Sequence, residues 1–429
     1  MKKPGQIKKV GSRRTFLKNS LFGGISLIGI DPTVFFFDKG LNIKSELSYD
    51  IDLFSPTRLF DGDKCWAHPR AGIIPGKKKT DPPRVVMTLN TLDLSGSDVF
   101  KGMLSMKSDD FGRTWDEPAQ SQALAPAIEE INQVRHPVAV SDFWPKWHKQ
   151  TRTLLGIGHT IVYTPDWKVT YPRPRHTAYS VYDPKKNAWS AWKKLEMNGM
   201  QKFHHAGAGC VQRYDEANGE IKLPIYFTPD KGNSRITVCR CAFNGKDLKF
   251  LEQGNELAID DGSRGLHEPS LTYFNGVYYL TLRNDHAGYV TKSKDGLVFE
   301  PIRAWKFDDG SDLGNYNTQQ HWVTHSDGLF LVYTRRGAGN DHVFRHRAPL
   351  FMAQVDPDRM VVIRESEQIL VPERGARLGN FGVTDVSPDE TWVTVSEWMQ
   401  PKGVEKYGSD GSVFVARIQW NRPNGLFEK

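Results

Sequence analysis

Lys107-Ser108-Asp109-Asp110-Phe111-Gly112-Arg113-Thr114-Trp115 is the stretch whose reading decides the fold. A serine, an aspartate two residues on, a glycine two further and a Thr-Trp pair describe a tight turn. Asp110 is placed to accept hydrogen bonds from amides of that turn, and Gly112 supplies the positive φ it needs. Trp115 offers a large apolar face for packing between neighbouring sheets. Gly102-Met103-Leu104-Ser105-Met106 reads as the strand leading in, and Thr114 and Trp115 as the start of the strand leading out. The unit is a hairpin corner, and such a corner specifies a fold better than a reaction.

Beyond residue 50, period-2 segments alternate with Gly, Asn, Asp and Pro turns, and no amphipathic helix stands out. Six similar units recur along the chain. They open at His68, His136, His204, His267, His321 and Asn380, 54 to 68 residues apart. The fourth closes on Ser293-Lys294-Asp295-Gly296-Leu297-Val298-Phe299, a worn copy of the Asp110 turn, and the last ends with Val413 to Trp420. This spacing suits a four-stranded sheet with one or two long loops, and six such sheets set radially leave few exposed edges. The expected fold is all-β: a six-bladed β-propeller of four-stranded antiparallel blades, one domain over residues 51–429. A pair of β-sandwiches is the alternative that the spacing allows.

The 429 residues are 38% hydrophobic with 12 tryptophans, enough for a large core, and no stretch reaches the roughly 20 apolar residues of a membrane span. The net charge of +7 resides in residues 1–30, where Lys2, Lys3, Lys8, Lys9, Arg13, Arg14 and Lys18 face no acid. Without these seven, 50 basic residues match 50 acidic ones, so composition gives no support for a nucleic-acid partner. Ser12-Arg13-Arg14-Thr15-Phe16-Leu17-Lys18 and the apolar run Leu21 to Ile30 form a twin-arginine export segment, which implies a periplasmic or secreted protein. Residues 31–50 read as a linker. Cys65 and Cys210 suit either a disulfide or buried thiols, while Cys239 and Cys241 point to one face of a strand and are poorly placed to pair.

In a propeller the innermost strand opens each blade and its first residues rim the axis. The openings therefore gather His68, His136, His204 or His205, His267, His321 and Asn380 into one funnel, with Glu268, Arg70, Arg283, Arg345, Arg347 and Glu397 nearby. Over residues 60 to 420 the chain resembles the sialidase superfamily, the Asp-box six-bladed propellers. His267-Glu268-Pro269-Ser270-Leu271, followed by Leu280-Thr281-Leu282-Arg283-Asn284, looks like that family's segment carrying one member of an arginine triad. The resemblance makes Arg70, before Ile73-Ile74-Pro75, the first member, Arg283 the second, and Arg345 or Arg347, ahead of Ala348-Pro349-Leu350, the third. Guanidinium suits the role because it grips both oxygens of a carboxylate in one plane. By the same resemblance Glu397 orients an arginine of the triad and Asp98 is the loop acid. The family's tyrosine nucleophile is missing: its place reads Gly379-Asn380-Phe381-Gly382.

An exported glycoside hydrolase that releases a sugar from an acidic or decorated glycan is the first expectation, with Glu268 and His204 or His205 transferring protons and His267 and Asp98 beside them. Two alternatives stand with it. One is a polysaccharide lyase acting on a uronic-acid polymer by β-elimination, since the rim also looks like histidine-rich propeller lyases and rhamnose-removing hydrolases. The other is a non-catalytic glycan-binding propeller. His68, His136, Gln320, His321, Tyr289 and Asn380 are expected to contact the substrate. No cofactor is required; rim histidines, with Gln319-Gln320-His321 beside them, are the place where one divalent ion would sit.

Overall fold

The computed structural model describes residues 46–78, 81–96, 98–171 and 173–427. The twin-arginine segment and the linker up to residue 45 lie outside the described residues. Six antiparallel sheets account for nearly all of the regular structure, and the fold is a six-bladed β-propeller. Blade I consists of Lys64–Ile74, Arg84–Asp93, Phe100–Ser108 and Ala119–Gln120. Blade II is built on Val134–His148, Thr153–Val162 and Thr177–Asp183, and blade III on Ile221–Phe227, Arg235–Phe243 and Leu248–Gln253 inside a broken inner strand. Blade IV consists of His267–Phe274, Val277–Arg283, Tyr289–Ser293 and Arg303–Ala304; blade V opens on His321–His325 and Gly328–Tyr333.

Blade VI closes the ring. Gly382–Ser387, Glu390–Trp398 and Ser412–Trp420 are its inner strands, and its outer strand, Tyr49–Arg58, comes from the other end of the chain. Tyr49 pairs with Trp420 and Ile51 with Ile418, so a hydrogen-bonded ladder rather than a covalent link holds the first and last blades together. Tyr49 and Asp50, read from sequence as linker, already belong to this strand. No helix among the described residues is long and apolar enough to cross a membrane.

Aromatic side chains fill the spaces between blades. Trp392 of blade VI is fully buried and packs edge-on against Phe54 and Phe111, with Trp115 beside it at 6.2 Å. That packing carries the Asp110 turn. Asp110 accepts from the Thr114 amide at 2.9 Å and from the Thr114 hydroxyl at 2.6 Å, while the Gly112 amide donates to Ser108 Oγ at 2.8 Å. Asp295 and Ser293 repeat the pattern in blade IV. In one respect the sequence reading needs correction: Thr114 and Trp115 remain in the turn, and the next strand starts only at Ala119. The Asp110 carboxylate has captured the groups that a ladder would have used.

Gly112 has φ +79 and a Cβ there would lie 2.5 Å from the Trp392 ring, whereas Gly62, at φ +92, has nothing within 4 Å. Gly112→Ala should destabilise by roughly 2–4 kcal/mol, combining backbone strain with overpacking, and Gly62→Ala by roughly 1 kcal/mol. Denaturant unfolding of both variants checks this, and equal losses would show that the Trp392 contact contributes nothing.

Candidate functional site

Four inner strands break at the same place. His68, Asp142, Cys210 and Glu268 all have positive φ, between 43 and 59. Around His68, Asp142 and Glu268 the strand register also slips, between Ala67 and Arg70, Ser141 and Trp144, and His267 and Ser270. A positive φ is uncommon for non-glycine residues and bulges re-aim side chains, so their recurrence in four blades marks a built feature at the axis. Asn380 occupies the matching break in blade VI, between Arg377–Leu378 and Gly382–Ser387.

These residues meet around the buried carboxylate of Asp142. Arg70 Nη2 donates to it at 3.2 Å, Cys210 Sγ at 2.8 Å and Asn380 Nδ2 at 3.1 Å. Arg70 also donates to Cys210 Sγ and to the Phe381 carbonyl, and its guanidinium stacks 4.7 Å from Trp144. Burial opposes ionisation of Asp142, but the Arg70 guanidinium and the Cys210 thiol that donate to it outweigh burial and hold the carboxyl well below its usual range. His68 is neutral: burial and Arg70 lower it, Asn90 Oδ1 accepts at Nδ1, and Asn380 Nδ2 faces Nε2 at 3.4 Å. All four cysteines are free and buried, so Cys65 and Cys210 form no disulfide.

Above this layer the axis opens into a cavity of about 1060 Å³. One wall carries Arg175, His205 and Tyr226. The Arg175 and His205 backbones form a parallel bridge, and the Arg175 guanidinium lies 4.7 Å over the Tyr226 ring. Tyr226 Oη is 3.0 Å from His159 Nδ1, and His159 Nε2 is 4.0 Å from Asp142. Burial, then Arg175 and His204, bring His205 down to about 3; burial, then Arg175, do the same to His159. Burial pushes the Tyr226 phenol far up, so it stays protonated. The facing wall carries Arg283, Arg345, Arg347 and Arg377. Arg283 donates to Glu268 at 2.5 Å and to Asn317 Oδ1 at 2.7 Å. His267, next to Glu268, is held neutral by burial and by Arg283, and its Nε2 has no partner among the described residues. Asp98 pairs with Arg173 at 3.1 Å, an attraction that lowers its carboxyl despite burial.

The register in the sequence reading was approximate. His68, Asp98, His205, His267, Glu268, Arg283, Arg345, Arg347 and Asn380 do line this cavity. Arg70 does not: it is fully buried beneath the cavity, with its charge used on Asp142. His136 lies at the start of its strand, bonded to the Tyr163 carbonyl, because blade II breaks six residues later at Asp142. His204 points outward, 3.5 Å from Asp230, because a short 3-10 turn puts its neighbour His205 on the inside. His321 and Gln320 are buried below the cavity, bonded to Ser270 and Thr281 respectively, and Tyr289 packs in the blade IV core. Glu397 orients Arg374 at 3.0 Å and not a cavity arginine. Asp142, His159, Arg173, Arg175 and Tyr226 were missed as site residues, since bulges and second-strand ends leave no mark on period-2 patterning.

A second cavity of about 510 Å³ lies at the other end of the inner strands. There Arg213 lies 2.9 Å and Lys146 3.9 Å from Asp215; the arginine-lined mouth, where the inner strands break, is the candidate site. No group of three or more His, Cys, Asp or Glu side chains among the described residues is arranged to hold a metal ion.

Comparison with solved structures agrees with this architecture. A protein of unknown function from Dyadobacter fermentans is similar at 13% identity and TM-score 0.54, over 86% of this chain and 99% of that one. The NanB sialidase of Streptococcus pneumoniae is similar at 10% identity and TM-score 0.55, over 85% and 70%. The Trypanosoma rangeli sialidase matches at 13% identity and TM-score 0.50, over 83% of this chain and 55% of that one, so the chain spans about half its length. No family model and no curated protein matches the sequence. The likeness is one of fold: a six-bladed propeller with the architecture seen in these sialidases.

The buried neutral histidines set a pH dependence of stability. Below about pH 6.5 the unfolded chain binds protons at His68, His159, His205, His267 and His321 more readily than the folded chain, in which burial lowers each ring. Each therefore removes up to roughly 1.4 kcal/mol per pH unit as pH falls. Glu397, raised to about 7 by burial, and the buried Asp385, also raised, work the other way, two groups against five rings. The stability that Asp142 gains from its ion pairs is lost only lower, as pH falls beneath the ordinary carboxylate range. Thermal unfolding should occur at a lower temperature at pH 5 than at pH 7, and an equal or higher Tm at pH 5 would show that the folded state protonates these rings.

Proposed function

We propose that this protein cleaves an anionic glycan in the arginine-lined mouth, by β-elimination at a uronate. The observation that carries this reading is the meeting of Arg175, a neutral His205 and a protonated Tyr226 on one wall. Elimination needs a cation to neutralise the uronate carboxylate, a base for the C5 proton and an acid for the leaving oxygen. Arg175 supplies the first, so that the carbanion character developing at C5 is stabilised. His205, which stays unprotonated at neutral pH beside Arg175, takes the C5 proton. The electron pair forms the C4–C5 double bond, the C4–O bond breaks, and the leaving oxygen takes the Tyr226 proton. His159 and Asp142, behind Tyr226, hold its ring in place.

Glycoside hydrolysis is the second reading, favoured by the likeness in fold to sialidases. It calls for a protonated carboxylic acid at the scissile bond, whereas Asp98 and Asp142 are held ionised by their cationic partners. The sequence of the first thirty residues supports export by the twin-arginine route, which would bring the enzyme to polymers outside the cytoplasm.

Incubation with uronate-containing and neutral polysaccharides separates the readings. Elimination yields an unsaturated uronate with ultraviolet absorbance; hydrolysis yields reducing ends without it; a binding propeller yields neither. His205→Ala should lower kcat by roughly 100-fold or more with unchanged Tm and circular dichroism. Full turnover in that variant would remove His205 from the mechanism.

A further inference from the structure

Three guanidiniums that line the same cavity as Arg175 form no ion pair among the described residues; Glu268 and Asp98 are acids near them, and each is already paired, with Arg283 and Arg173. Arg347 is buried; its guanidinium donates to the Asn317 carbonyl, and its Nε is unpartnered. Arg377, also buried, donates to Gln400 Oε1 at 2.7 Å and stacks 4.9 Å from both Phe344 and Trp398, again with Nε unpartnered. Arg345 also lies against Phe344, 5.1 Å from its ring. The indole N–H of Trp398 is buried without an acceptor as well. Arg283 is adjacent, but Glu268 already neutralises it.

Buried guanidiniums without an anion are strongly disfavoured. Burial and mutual repulsion show in the proton affinities: Arg377 is lowered to about 10, and Arg347 falls well below its ordinary value under Arg283, Arg377 and Arg345. A bound anion relieves both effects. A carboxylate presents its two oxygens in one plane, while a tetrahedral oxyanion offers oxygens in several directions. Arg345, Arg347 and Arg377 come from two chain segments and line one cavity.

We propose that Arg345, Arg347 and Arg377 form a second anion subsite, which takes a sulfate or phosphate ester on the glycan whose uronate lies at Arg175 and His205. This rests on the elimination reading for the placement of the uronate, but the subsite can be tested without turnover. Calorimetric titration of the full chain at constant ionic strength compares sodium sulfate, sodium phosphate and sodium acetate. Sulfate or phosphate should bind saturably and acetate should not, and the tighter of the two identifies the ester. Arg377→Gln should weaken that binding about tenfold or more, and Arg345→Gln, at an exposed position, about threefold. His205→Ala should bind the oxyanion as the unaltered protein does. Equal binding of all three anions, or unchanged affinity in a folded Arg345→Gln and Arg377→Gln, would overturn the proposal. Saturable oxyanion binding by a protein that cleaves no uronate polymer would sink the elimination reading alone and leave the subsite standing.

Discussion

The Asp142 carboxylate is the constraint on which the centre of the molecule depends. It sits in blade II and receives hydrogen bonds from Arg70 of blade I, Cys210 of blade III and Asn380 of blade VI. Four of the six blades are thereby joined at the axis by one buried anion. A propeller has no packed centre of its own; its inner strands converge on a channel that apolar side chains do not close here. Removing either side of such an arrangement leaves an uncompensated charge in a low-dielectric space, which is why buried ion pairs are costly to break even when they add little net stability.

The same layer sets the electrostatics above it. Because Arg70 is committed to Asp142, it cannot reach a substrate, and its field helps keep His68 and His321 uncharged. His159 and His205 are left neutral beside Arg175, and Glu268 is tied to Arg283. The mouth therefore combines neutral bases with an excess of guanidinium, a balance suited to stabilising negative charge on a bound molecule and to accepting a proton from it. A site built for a general acid would instead keep a carboxyl protonated, whereas the carboxyls of this mouth are paired with arginines, Asp98 with Arg173 and Glu268 with Arg283.

The fold was legible because its signals are local. The Asp110 turn fixes its own hydrogen bonds within seven residues, and the six-fold recurrence of strand and turn survives uncertainty of a few residues in each boundary. The site was legible only in part, because the positions that face the axis are set by bulges. His267 was read as the blade IV opening, yet the residue at the break is Glu268; His136 was read for blade II, yet the break falls at Asp142. A bulge adds one residue and reverses which face the following side chains meet, so a histidine-based register was bound to slip. Arg175 and Tyr226 escaped for a different reason: they reach the cavity from a loop and from the end of a second strand, where no periodicity distinguishes them from packing residues.

The departure at Asn380 takes its meaning from the same geometry. The resemblance to sialidases places a tyrosine at the opening of the last blade, and here that position donates an amide hydrogen to Asp142 and faces His68. A phenol is longer and has one hydrogen to give, so it cannot serve Asp142 and His68 from the Asn380 backbone as the amide does. Asn380 thereby commits blade VI to the axial anion. The phenol that the mouth does contain, Tyr226, stands in blade III, backed by His159 and covered by Arg175. A tyrosine so placed, protonated and beside a neutral histidine, is equipped to give a proton to a leaving oxygen rather than to attack an anomeric carbon. The chemistry proposed for this propeller thus follows from where its central charge was placed.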